Sequence, residues 1–535
     1  MNANRFGGAL RLTVGAPSCD VPGFTNVQVQ CAIDRVASAG GGEVELAPGV
    51  YSLADSVHLR SGVTLRGAGE KTILRKNPVK TANVVCFLGF GHDDILVDNP
   101  DAFAMGDGVY IWDAAAWGFY ATVGTLISRR GDTWFYDQRH SGDYTPRDRA
   151  VVQTLFSAVS ARDVTGAAVE ALAIDGNAAE NLPLNGCRGG GVFAHRCREV
   201  AFRDLIIRDF HGEGISFQTC DDAEIGGCRI ERCRGSGIHP GSGSNRFHIH
   251  HCTVRENTGC GLFYCLRVRD SVLEDCLFEA NGQHGVSIGT RDTGHVNRRL
   301  TIRGNGGAGV YLRRCSRPDG PHNNLVEACA IEENCAADGE AEVVVQGATA
   351  GTRLIGNSIR RRPGKPGIVI NPEIEELELS GNRIAPAGDG AIGYLLKDAL
   401  PDELRRSLQA LRRDATPARD LWPGIRARIE DAQPAPPPAA ATPLPVHARS
   451  GRNRRTRRLA GLATAASLAA ALAIAWTVAP PSAPEPPREV ATSLILQEAA
   501  HMTDEYRTAW SAFDARRPAG VDASALHEID RGAAA

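Results

Sequence analysis

The feature that most limits what this chain can fold into is a repeat. Glycine followed by an aliphatic residue recurs at Gly191-Val192, Gly214-Ile215, Gly237-Ile238, Gly261-Leu262, Gly285-Val286 and Gly309-Val310, in steps of 23, 23, 24, 24 and 24 residues. Gly367-Ile368 resumes the pattern after a longer interval. A second column, Leu205, Cys228, Cys252, Cys276 and Leu300, keeps steps of 23, 24, 24 and 24, and Cys329 follows 29 residues later. A third, Phe210, Cys233, Asn257, Asn281 and Asn305, is locked to the same steps. Columns held in phase at a period of about 20–50 residues are the signature of a solenoid.

The units are rich in Val, Ile and Thr and alternate between turn residues, as in Ile215-Ser216-Phe217 and Val310-Tyr311-Leu312. That pattern predicts short strands rather than helices, hence an all-β, single-stranded parallel β-helix with about three strands per coil. Coils stacked about 4.8 Å apart bring equivalent side chains into files. The Leu205/Cys228/Cys252/Cys276/Leu300 file then faces the core, with cysteine acting as a small buried hydrophobe. The Asn257/Asn281/Asn305 file is expected to form an amide ladder at a turn.

Around this repeat the chain divides as follows. Residues 1–23 form an N-terminal arm and 24–395 the β-helix, with early coils and an excursion at 76–180 and regular coils at 185–385. The stretch NVQVQCAIDRVASAG reads as a short amphipathic helix with Val27, Ala32, Ile33 and Val36 on one face. Residues 396–432 read as helical, 433–458 as a Pro/Ala linker with a basic flank, and 480–535 as a tail with a short helix. Residues 459–479 carry no charge over 21 positions, about the length a bilayer core needs. Six arginines precede them, so a single transmembrane helix is expected, with the β-helix on the cytoplasmic side. The N-terminus has no apolar run of signal length, and the 15 cysteines are expected to be unpaired thiols. The net charge of −3 gives no global polyanion-binding field, and the basic run is better explained as a membrane flank than as a nucleic-acid contact.

The lead-in AIDRVASAGGGEVELAPGVYSL followed by SGVTLRGAGEKTIL, and then the glycine-centred coils, resembles the pectin-lyase-like right-handed parallel β-helix superfamily over residues 24–385. IDGN at 174–177, GEGISFQ at 212–218, GIHPGSGS at 237–244, CGLFYCLRVR at 260–269 and GVSIGTRDT at 285–293 look like a group of uncharacterised bacterial β-helix repeat proteins. The resemblance implies a right-handed coil. It also implies an activity drawn from polysaccharide lyases, glycoside hydrolases and uronate epimerases, with lyase or epimerase ahead of hydrolase. GQHGVSIG is similar to an element of polygalacturonases, but Asp221-Asp222 lies nearly three coils before His284, too far to share one sugar.

Alternation predicts which side chains leave the barrel. One outward column is Phe193, Ser216, His239, Phe263, Ser287 and Tyr311; its neighbour is His195, Gln218, Gly241, Cys265, Gly289 and Arg313. Arg267 and Arg291 follow one step further, one coil apart. Aromatic faces for sugar rings and arginines for uronate carboxylates suit an acidic polysaccharide. β-Elimination or C5 epimerisation needs the carboxylate neutralised and the C5 proton abstracted. The candidate catalytic set is therefore Arg267 and Arg291 on the carboxylate and His239 as base. Glu213 and Asp292 stand as acid, as partner of His239, or as ligands for a Ca²⁺. Gln218, Phe263, Tyr264, Tyr311 and Arg313 are the candidate substrate-binding groups.

Each of these also has a plainer reading. His239 can cap a turn, the arginines can be solvated with counter-charges, and Asp292 can bond its own turn backbone. No zinc site is expected: there are no paired CxxC motifs, and alternation spreads His248, His250 and His251 over a surface. The competing function is a membrane-anchored β-helix that binds or scaffolds without catalysis.

Overall fold

The structure, a computed structural model, describes residues 10–115, 120–337, 339–371 and 374–385, together with a two-residue strand, Arg412–Arg413. Its core is a parallel β-helix whose rungs repeat three short strands. One rung is Ile215–Gln218, Glu224–Gly226 and Arg229–Glu231; the next is Ile238–Gly241, His248–His250 and Thr253–Arg255. From Val192 upward the register carries identical slots without a slip. Ile215 pairs with Ile238, Ile238 with Leu262, Leu262 with Val286 and Val286 with Val310. On the face of the third strands, Ile230, Val254, Phe278, Ile302 and Ile331 form a second inward file. All of these side chains are buried.

The glycine column marks the corner entering the first strand of each rung. A Cβ at Gly214 would lie 2.6 Å from the Gly237 carbonyl oxygen, and one at Gly261 would lie 2.7 Å from that of Gly285. Any side chain there would pry the rungs apart, so the repeat is set by close backbone approach. Between the second and third strands the chain turns on single residues in the left-handed region, among them Asp204 (φ 53°), His251 (φ 55°), Asp275 (φ 53°) and Arg299 (φ 52°). Each such residue costs roughly 1–2 kcal/mol. The turn amides are tied to the rung above, as in Asp204 N–H to Gly226 O at 2.9 Å.

The two predicted files take their places. Cys228, Cys252 and Cys276 are buried in the column that follows these turns, and all 15 cysteines are free thiols. The amide ladder runs Asn257 to Asn281 (2.9 Å), Asn281 to Asn305 (2.9 Å) and Asn305 to Asn334 (2.7 Å), each side-chain amide donating to the next carbonyl oxygen. It ends on the buried carboxylate of Glu342, which accepts from Asn334 at 2.7 Å. The chemistry is consistent along the file: each buried amide finds its partner one rung away.

The helix Asn26–Ser38 packs across the first strands of the stack, with Thr25 and Gln28 closing a capping box. Its buried face is Asn26, Val29, Ala32, Ile33 and Val36, whereas Val27, expected on that face, is exposed because it sits on the opposite side of the first turn. Within 76–180, the excursion is an insertion ending at Gln153, and Val159–Arg162 and Ala168–Asp175 are early coils of the stack. Six strands between Thr81–Asn83 and Val151–Gln153 form a separate antiparallel sheet with its own core. The stack continues beneath it, because Val57–His58 pairs directly with Val159–Ser160.

Of the segment 396–432, Arg412–Arg413 is extended and not helical: it pairs in parallel with Arg383–Ile384. The linker, membrane span and tail read from the sequence lie outside the described residues. Among the described residues no helix is long and apolar enough to cross a membrane.

Candidate functional site

The ten-stranded face of the β-helix carries the site. Its outward column is aligned as the sequence predicts: Phe193 pairs with Ser216 and Ser216 with His239, while His195 pairs with Gln218 and Gln218 with Gly241. These side chains nevertheless have little exposure, because two segments roof them. One is the loop at 182–190, which Ser216 pins by donating its Oγ–H to the Gly186 carbonyl at 2.6 Å. The other is the antiparallel insertion. Between roof and face lies a cavity of about 410 Å³ lined by Arg139, Arg162, Arg188, Phe193, His195 and Gln218, with Cys187 and Cys265 also on its wall.

No carboxylate lines this cavity among the described residues, while three arginines do. His195 is pushed down to about 4 by burial and by the charges of Arg162 and Arg196. Its ring is therefore neutral near pH 7 and offers one donor and one acceptor beside the guanidinium groups.

Beneath the roof, Cys187, His239 and Cys265 come together, with one ligand-type atom of each within 4.8 Å of the others. Glu213 Oε1 is 3.5 Å from His239 Nδ1. Both ring nitrogens of His239 and Glu213 Oε2 are buried without a hydrogen-bond partner. Burial disfavours the charged His239 ring, yet the neighbouring Cys265 and Glu213 outweigh it and push the group up to about 9. His239 is thus enclosed and absent from the cavity lining, which does not suit the base role expected from sequence.

The structure separates several other predicted groups. Arg267 and Arg291 stack one rung apart, Arg267 N–H donating to Thr290 O, but they are exposed turn residues at φ 58° and 56°, off the cavity wall. Arg291 is held by Asp319 at 2.6 Å. Asp292 is fully buried, accepting from Val268 N–H at 3.1 Å and Gly289 N–H at 2.7 Å, with Arg313 at 3.3 Å. Both its oxygens are spent on bracing the turn, so neither an acid role nor a Ca²⁺ site is open to it; burial raises it to about 6. Tyr264 belongs to the inward file: it is buried, stacks on His295 at 4.2 Å and meets Asn297 Oδ1 at 3.1 Å. It cannot contact a ligand.

Arg313 lies over the Phe263 ring at 4.3 Å and donates to Ser287 Oγ at 2.8 Å and Tyr264 O at 2.6 Å, so both residues serve packing. Tyr311 stacks on His284 at 4.2 Å and lines a separate depression with Gln283 and Glu340. Of the predicted set, only Gln218 lines the main cavity, and Glu213 and His239 sit together behind its wall. The rings of the HIHH run lie side by side, with His248 and His250 centroids 4.5 Å apart and His250 Nδ1 3.0 Å from His251 Nδ1, but His248 pairs with Glu274 at 2.8 Å and His250 faces Glu224 at 3.4 Å. Sequence reading missed Arg162, Arg188 and Cys187. Arg188 and Cys187 lie in the NGCRGGG loop, which is out of phase with the repeat.

The sequence model of the family described as "Right handed beta helix region" matches residues 170–298. No curated protein matches the chain. Among solved structures, the chain is similar to the A-module of a mannuronan C-5 epimerase, AlgE6, of Azotobacter vinelandii (17% identity, covering 69% of this chain and 92% of that one, TM-score 0.42). It is also similar to the tailspike protein gp49 of Pseudomonas phage LKA1 (15%, 67% and 68%, TM-score 0.34) and to a protein titled glycoside hydrolase (11%, 70% and 96%, TM-score 0.40). The stacked rungs of parallel strands make the described core of this chain a parallel β-helix, and residues 170–298 within it match the model of the right-handed β-helix region.

Proposed function

We propose that this β-helix binds an acidic, uronate-containing saccharide in the cavity between its ten-stranded face and the insertion. The observation that carries the reading is the lining: Arg139, Arg162 and Arg188 for carboxylates, Phe193 for a sugar face, and Gln218 and His195 for hydroxyls. The test is binding to a panel of alginate, pectate and glycosaminoglycan oligosaccharides against neutral glucans. Binding confined to the acidic members and weakened by salt is expected. Equal binding of neutral glycans, or binding of none, contradicts the proposal.

A second reading is turnover, by lyase or C5-epimerase chemistry. The observation that favours it is His195, a neutral imidazole beside arginines that would hold the uronate carboxylate. In that reading His195 takes the C5 proton that sequence analysis assigned to His239. New unsaturated ends, or exchange of the C5 proton with solvent deuterium, would support it. Their absence with a bound uronate leaves the binding module. The span at 459–479 is proposed to anchor the chain with its β-helix on the cytoplasmic side. Reporter fusions at residue 430 and at the C-terminus test this, and they also decide which saccharides the cavity can meet.

A further inference from the structure

We infer that Cys187, His239 and Cys265 form a binding site for a thiophilic divalent cation, zinc, behind the cavity wall. The three residues come from separate stretches: the roofing loop, the strand Ile238–Gly241, and the end of the next rung's strand Leu262–Phe263. Their donor atoms already lie within 4.8 Å of one another. Tetrahedral zinc, with Zn–S of about 2.3 Å and Zn–N of about 2.0 Å, sets donors roughly 3.5 Å apart, so small side-chain rotations close the site. Two thiols and an imidazole are soft donors that select zinc over calcium or magnesium.

A second observation points the same way. Both nitrogens of the buried His239 ring lack a hydrogen-bond partner, and so does Glu213 Oε2. Buried polar atoms are almost always satisfied, and an orphaned set of this kind is what ligation resolves. Glu213 beside Nδ1 is placed to orient the imidazole, as carboxylates next to ligating histidines do.

The loop is shaped to deliver Cys187. A Cβ at Gly186 would stand 2.6 Å from Glu213 Oε1 and 2.7 Å from His239 Nδ1, so only glycine lets the loop descend this far. Cys187 N–H is fixed by Asn185 Oδ1 at 2.9 Å. Cys187 and Cys265 both border the cavity, so the cluster lies next to it. The inference is independent of the saccharide reading, since metal binding is measured with the ion alone.

The test uses the full chain, stripped with a chelator under reducing conditions and titrated with Zn²⁺, and separately with Co²⁺ to read the cobalt–thiolate charge-transfer band. One ion per chain is expected. Cys187→Ser, Cys265→Ser and His239→Ala should each weaken zinc binding by at least about 100-fold, with the surface variant Cys31→Ser unchanged. Zinc should also protect Cys187 and Cys265, but not Cys31, of the wild-type chain from alkylation, a readout that needs no variant to fold. No tight zinc, zinc retained by the Cys187 and Cys265 variants, or a Cys187–Cys265 disulfide in protein kept under reducing conditions overturns the inference.

Discussion

Glu213 Oε1 stands 3.5 Å from His239 Nδ1, one rung apart on the stack. The contact exists because each winding returns the chain to the same corner, with Gly214 N–H donating to Ser236 O at 3.0 Å just beside it. Everything at the site depends on that return.

The corner glycines give the first prediction. Gly261→Ala puts a Cβ 2.7 Å from Gly285 O and 3.0 Å from Asn281 Nδ2, and backbone cannot give way. A loss of about 2–3 kcal/mol is expected from overpacking. Gly304, at φ 64° with open space around its Cβ, should lose only about 1–2 kcal/mol as Gly304→Ala, the cost of left-handed backbone alone. Chemical denaturation of the two variants, if it ranked them the other way, would count against close approach as the origin of the repeat.

The amide ladder gives the second. Asn281→Leu takes the acceptor from the Asn257 backbone N–H, leaves the Asn257 amide with Ile230 O alone, and removes the side-chain donor to Asn305 Oδ1 and Val254 O. Each unsatisfied buried group costs about 1–3 kcal/mol, so a total of roughly 2–5 kcal/mol is expected. A change under about 0.5 kcal/mol in the same assay would mean that the file contributes no stability.

Tyr264 provides a third prediction, which separates core from cavity. Tyr264→Phe removes the hydroxyl that meets Asn297 and should cost about 1 kcal/mol of stability with no change in saccharide affinity. Titration calorimetry showing weaker binding without destabilisation would return Tyr264 to the cavity.

The fourth concerns acid. Glu274 is held down to about 2 from its ordinary 4.5, chiefly by Arg298 at 2.7 Å, against the cost of burial and with help from His248. A carboxylate depressed in the folded state contributes stability above its unfolded value, which is lost as pH falls through the folded one. Stability should therefore decline from about pH 4.5 to pH 2, and Glu274→Gln should flatten that decline. Denaturant midpoints measured across this range that stay parallel for wild type and variant contradict the assignment.

How much of this was legible in the sequence follows from what carries a period. The glycine corners, the cysteine file and the amide ladder repeat every rung, so simple counting finds them, and the outward columns through Phe193 and His195 align as counting predicts. Direction after a strand end does not repeat. Arg267 and Arg291 fall on left-handed turn residues that swing them off the face, and Asp292 swings inward to cap the backbone. Residues that break the period are invisible to it: the roof built from the insertion and the Cys187 loop turns an open face into a cavity and brings Arg139 and Arg188 to it. Sequence spacing also hides the Cys187/His239/Cys265 cluster, because no two of its members share a motif.

The most direct test of the account is the affinity of a uronate oligosaccharide for the wild-type chain, Arg162→Ala and Arg188→Ala as a function of salt, with Arg267→Ala and Arg291→Ala as outward controls. The account predicts at least a tenfold loss, about 1.4 kcal/mol, for each of the first two and a shallower salt dependence. The controls should bind as wild type does. Loss of binding in the Arg267 and Arg291 variants, with Arg162 and Arg188 dispensable, would move the ligand off the roofed cavity and onto the open turn edge.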